Sequence, residues 1–202
     1  MKRMVLMALL ALALPVAAFA NGGEVDFSIQ NGTLIGGATG LSLSGTEISM
    51  IDGLNGLGML TGDVGSITLT TGKLTSGSLT CGDGECGTLG NGTFVITGTG
   101  ADGLPSGVLF SGTLTHLTWT ADKTTRGYLY ILTGDLSGKW YNGTGGSGGI
   151  VLVVKPLKSG GYAVMFGTGF TSAVPEPGTL GLMGTGLIGV GVLLRRKMRS
   201  QV

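Results

Sequence analysis

Through most of the chain, apolar and polar side chains alternate in short bursts divided by glycine. Val25-Asp-Phe-Ser-Ile29 alternates, as do Leu41-Ser-Leu-Ser44 and Ile67-Thr-Leu-Thr70. A period of two puts one strand face on a core and the other in water. Further strand-like runs cover residues 93–97, 107–120, 128–133, 150–154 and 162–166. No stretch between the two ends keeps a helical apolar period without a glycine interrupting it. The pattern predicts an all-β domain, an antiparallel sandwich or barrel of short strands. A β-helix is the rival fold. Gly-Thr-Leu recurs at Gly32, Gly87 and Gly112, but without the fixed period of a solenoid.

The clearest local unit is a hairpin. Residues 107–120 turn through Ala121-Asp-Lys-Thr-Thr125 into the run 126–133. A turn centred on Lys123-Thr124 would set Trp119 opposite Tyr128 and Leu117 opposite Tyr130, pairs that stabilise an antiparallel ladder. Val151 to Val154 reads as a fully buried strand that stops before Pro156, which lacks a ladder donor. Three Asn-Gly-Thr triplets, at Asn31, Asn91 and Asn142, match a glycosylation sequon. They are read as tight turns, because Asn and Gly both tolerate positive φ.

The pattern changes at both ends. Met1-Lys2-Arg3 is followed by an apolar run from Met4 to Leu14, then Pro15 and Ala18-Phe19-Ala20. That order makes residues 1–20 a secretory signal peptide, with Ala18 and Ala20 defining the cleavage site. At the other end, Val174-Pro-Glu-Pro177 precedes seventeen uncharged residues, 178–194, and then Arg195, Arg196, Lys197 and Arg199. As a helix the uncharged run would rise about 25 Å, the short end of what crosses a bilayer. Its glycines are tolerated in lipid and allow close helix approach. The basic residues would act as a stop-transfer and hold the C-terminus in the cytoplasm. Residues 21–173 are then an exported β domain rich in Gly, Ser and Thr.

Composition sharpens the middle. Glycine supplies 42 of 202 residues and charged residues only 11%, a poor match to charge-rich disorder. Between Asn21 and Val174 there are six basic residues against ten acidic ones, a net charge of −4. A weakly acidic surface without basic clusters argues against nucleic acid as a partner. Both cysteines lie in Cys81-Gly-Asp-Gly-Glu-Cys86. In an exported chain they are expected to form a local disulfide that fixes a turn more than the whole fold. Asp83 and Glu85 fall short of a metal-ligand pattern, so no metal and no cofactor is assigned.

Catalytic chemistry is sparse. His116 is the only histidine, and no nucleophile elbow, metal-binding histidine pair or phosphate loop accompanies it. The chain is read as a non-enzyme with no catalytic residues. A hydrolase would need His116 beside an acid and an exposed hydroxyl. Trp119, Tyr128, Tyr130, Trp140 and Tyr141 fall in one hairpin region. Trp119, Tyr128 and Tyr130 could form an aromatic platform for sugar rings, although such rings also serve to fill a core.

Two prolines around Glu176 hold that carboxylate on a stiff, extended segment. A plain anchor has no need of such a knot. Val-Pro-Glu-Pro-Gly-Thr-Leu, the glycine-rich apolar span and the Arg-Arg-Lys finish resemble the PEP-CTERM sorting signal of Gram-negative bacteria. The resemblance covers residues 174–199 and implies recognition of Pro175, Glu176 and Pro177 by an exosortase-type membrane enzyme. It further implies export across the inner membrane, a C-terminal membrane tether, and sorting toward the cell surface or a biofilm matrix. Exopolysaccharide is the associated partner by that resemblance. The expected role is structural or interactive, with a carbohydrate-binding module as the alternative.

Overall fold

The computed structural model describes residues 23–125 and 127–173. The signal peptide, the sorting motif, the apolar span and the basic tail named above lie outside the described residues. Among those described, no helix is long and apolar enough to cross a membrane. They form ten strands: β1 Glu24–Gly37, β2 Gly40–Asp52, β3 Leu60–Thr70, β4 Leu74–Gly77, β5 Gly84–Leu89, β6 Gly92–Thr99, β7 Ser106–Thr124, β8 Gly127–Trp140, β9 Gly145–Pro156 and β10 Tyr162–Ala173. Two short 3-10 turns, Leu54–Gly56 and Ala101–Gly103, are the only helical pieces among them.

All the pairings are antiparallel. The order β7-β6-β3-β2-β1-β10-β9-β8 closes on itself through β7–β8, giving an eight-strand barrel rather than two stacked sheets. Closure leaves no long free edge for another chain to pair with. The β4–β5 hairpin lies between β3 and β6 in sequence and adds to the far half of β7. Bonds from the Gly72 N–H to the Gly90 carbonyl and from the Gly90 N–H to the Lys73 carbonyl carry the β3–β6 ladder on into it. Both chain ends of the barrel lie together, since Glu24 pairs with Ser172.

The interior is apolar. Phe27, Phe94, Phe110, Leu114, Trp119, Leu132, Leu152 and Val154 are fully or almost fully buried, while the outward positions are mostly Thr, Ser, Gly and charged residues. That arrangement inverts a lipid-embedded barrel, which turns its apolar residues outward. Eight strands leave a narrow lumen, so large rings need small residues on the facing wall. A Cβ at Gly169 would lie 2.3 Å from the Phe27 ring, and one at Gly138 would lie 2.8 Å from the Phe110 ring. At Gly112, Gly138, Gly146 and Gly169 the glycine leaves room for an aromatic ring.

Three sequence expectations shift. The β7–β8 turn lies beyond Lys123-Thr124, so Trp119 faces Leu132 and Ala121 faces Tyr130. The strands extend further because Thr124 still pairs with Gly127, and the Thr124 hydroxyl donates to the Gly127 carbonyl. The change in register is even, so inward residues stay inward. Leu152, Val153 and Val154 are buried in succession as expected, but Val151 is 36% exposed, and β9 includes Pro156 as its last residue. Of the three Asn-Gly pairs, only Asn142-Gly143 makes a hairpin turn, where Asn142 Oδ1 accepts the Thr144 N–H. Asn31, at φ 61, bends the middle of β1, and Asn91 links β5 to β6.

Candidate functional site

Several strand pairs shift register, and the shift between β7 and β8 carries the single histidine, His116. In β7 the inward residues are Phe110 and Leu114 on one side and Leu117, Trp119 and Ala121 on the other. The phase changes because an extra residue is inserted: pairing runs from Thr115↔Asp135 directly to Thr118↔Thr133. His116 takes up the bulge at φ 49, a left-handed conformation uncommon for a residue with a side chain. The bulge sends the imidazole outward, where Nδ1 lies 2.8 Å from Asp135 Oδ2. Both side chains are mostly exposed, at 83% and 66%, so the pair orients the ring more than it stabilises the fold.

Two rows of outward residues run across the wall from this point. Asp135 pairs with Gly149, Gly149 with Phe170, and Phe170 with Asp26, one row over β8, β9, β10 and β1. The next row runs Thr118, Thr133, Val151 and Thr168. The Thr118 and Thr133 hydroxyls hydrogen-bond each other. With strands about 4.8 Å apart, Asp135 and Asp26 stand about 14 Å from end to end. Between them Gly149 carries no side chain, and the Phe170 ring, 47% exposed, leans over the gap. The resulting hollow holds about 460 Å³ and is floored by backbone at Gly134, Gly148, Gly149 and Gly169.

The aromatic residues singled out from sequence lie elsewhere. Trp119 and Tyr130 are buried in the lumen, stacked with ring centroids 5.3 Å apart. Tyr162 stands edge-on to both, at 5.1 and 5.5 Å. Tyr128 is half-buried against the same core. Trp119, Tyr130 and Tyr162 face each other and not solvent, so they fill the barrel end instead of presenting a platform. Trp119 Nε1 and the Tyr162 hydroxyl both donate to the Leu79 carbonyl, at 3.0 and 3.3 Å. Burial raises the Tyr162 pKa, and the neighbouring Tyr130 adds to the shift.

Leu79 belongs to the β4–β5 connection, which folds over that end of the barrel. Cys81 and Cys86 are joined there, with Cα atoms 5.6 Å apart. Asp83 Oδ1 accepts the Lys123 N–H at 3.2 Å, which pins the loop to the tip of β7. His116 does gain an acid partner, but the closest hydroxyl pair, Thr118 and Thr133, is bonded internally. Among the described residues no hydroxyl bonds to the imidazole. Asp26, Asp135 and Phe170 were not legible as site residues, because only strand pairing brings them into one row. The bulge itself did leave a mark: Leu114 and Leu117 are three apart where alternation requires two or four.

The family model for the PEP-CTERM protein-sorting motif matches residues 173–197. Among characterised proteins and solved structures nothing matches.

Proposed function

From a chain that carries a PEP-CTERM sorting signal, we propose an exported protein that an exosortase-type membrane enzyme reads at Pro175, Glu176 and Pro177. The matched motif at 173–197 carries this reading. In it, residues 1–20 direct export and are cut after Ala20. Residues 178–194 tether the chain in the inner membrane, and Arg195, Arg196, Lys197 and Arg199 hold the tail on the cytoplasmic side. The β domain is the passenger, delivered to the cell surface or matrix in a structural or interaction role without catalysis. Its hydroxyl-rich outer wall and its filled lumen support that role. The alternative of carbohydrate binding would have to use rings other than Trp119, Tyr128 and Tyr130.

The test is the mass and membrane fraction of the wild type against Glu176→Ala, in a host containing the exosortase. A processing enzyme reads charge and shape at the proline pair, whereas a passive anchor depends on apolar length and flanking charge. The variant is expected to accumulate uncut in the inner membrane while the wild type is processed. Equal mass and equal membrane retention for both would leave the chain a simple tail-anchored protein.

A further inference from the structure

We propose that the hollow between His116–Asp135 and Asp26 on the outer wall is a binding site for a short stretch of neutral or amino-bearing polysaccharide. The inference rests on the reading of the barrel as an interaction module and names its ligand class. A sugar ring asks for an apolar surface to lie on and for hydrogen-bonding groups around its edge. Phe170 offers the first: its ring is 47% exposed, outside the core, and lies beside the space that Gly149 leaves open. The second comes from the carboxylates of Asp135 and Asp26 at the two ends of the row, with the hydroxyl oxygens of Thr133, bonded to Thr118, and Thr168, donating to the Phe27 carbonyl, left as acceptors along its side. Val151 extends the apolar floor.

The shape and charge select further. About 14 Å between the strands that carry the two carboxylates is long enough for a chain of sugar units rather than a single small ion. Two carboxylates in an acidic domain repel uronic or sulfated polymers and accept hydroxyl and ammonium donors. The His116 bulge fits the same purpose: the strained residue turns an additional donor or acceptor toward one end of the hollow, held in place by Asp135. A stable protein interface covers about 800 Å² on each partner, far more than this hollow exposes.

The experiment uses the full chain, isotope-labelled and held in a detergent without a sugar headgroup. It is titrated in turn with chitosan tetraose (amino-bearing), chitotetraose (neutral) and tetragalacturonate (anionic), and amide shifts are followed by NMR. Either or both of the first two should shift the Gly148, Gly149 and Gly169 amides, with tetragalacturonate inert. Phe170→Ala should weaken that binding about tenfold, and Asp135→Asn should weaken it while leaving the spectrum folded. No shift with either expected ligand, shifts mapping elsewhere, a response to tetragalacturonate alone, or undiminished affinity in both variants would overturn the proposal. A chain that binds sugar but is not processed sinks the sorting reading alone; one that is processed but binds none sinks this inference alone.

Discussion

At the barrel end where the chain enters and leaves, the lumen is filled by Phe27, Phe94, Phe110 and Trp140. At the other end it is filled by Trp119, Tyr130 and Tyr162. The first group packs ring to ring at 5.0 to 6.2 Å, with inward glycines on the facing wall providing the depth. The second group is as tightly packed but carries polar atoms into the interior, and two of these are satisfied only by the Leu79 carbonyl. A buried donor without a partner costs more than the bond itself returns. The three phenylalanines therefore need only space, while the Trp119–Tyr130–Tyr162 end needs a lid. The β4–β5 connection supplies that lid through Leu79, two residues before the ring that Cys81 and Cys86 close.

Truncating a ring at each end gives the largest expected effect. Phe110→Ala and Trp119→Ala should each cost about 3–5 kcal/mol in denaturant midpoint analysis. They should differ in hydrogen exchange. Loss of Trp119 should release protection across residues 78–86, while loss of Phe110 should leave the lid protected. Equal lid protection in the two variants would mean that the Leu79 contact does not hold the loop.

Replacing Cys81 and Cys86 by serine should come next, at about 2 kcal/mol from ring closure in the unfolded chain. The loosening should appear as faster exchange at the Trp119 indole N–H, with the Phe27–Phe110 region unchanged. Slower or unchanged indole exchange would separate the disulfide from the core.

The smallest effect is at Tyr162. Its raised pKa means that the fold favours the neutral hydroxyl, so this contribution is complete below the ordinary tyrosine value of 10.0 and is lost as pH climbs through the raised one. Tyr162→Phe should cost about 1 kcal/mol at pH 7, from the missing bond to Leu79. The cost should shrink above pH 10, which comparing urea midpoints at pH 7 and 11 would reveal. A constant gap between the two proteins would show that burial does not hold the Tyr162 hydroxyl neutral.

Strand content was legible because alternation survives any tertiary arrangement: each apolar–polar run read from residues 25–29 to 162–166 falls within a strand. What escaped depends on pairing. Gly134 and Gly138 read as breaks after a short strand, yet β8 runs fourteen residues through both. Nothing local tells an inward glycine that makes room for Phe27 from a turn glycine with positive φ. The β7–β8 turn was placed two residues early for a similar reason, since Asp122, Lys123 and Thr124 look like turn residues but remain in the ladder. The outer hollow was hidden further still, as its Asp26 and Asp135 are more than a hundred positions apart in the chain. The sorting motif was readable throughout, because its recognition needs order and spacing but no fold.

The exit of the chain from β10 has a mechanical consequence. β10 is hydrogen-bonded to β1 on one side and to β9 on the other, and Ala173, the last residue of the strand, still pairs with Gly146. The matched sorting motif begins at that same residue, so Val174 alone separates the ladder from Pro175. A pull on the chain beyond Ala173 therefore acts along the strand axis, perpendicular to two rows of ladder bonds. Those bonds are sheared together rather than opened one at a time like a zipper. A tug at this end is met by the whole length of β10 at once, and the barrel should yield to it in a single abrupt rupture.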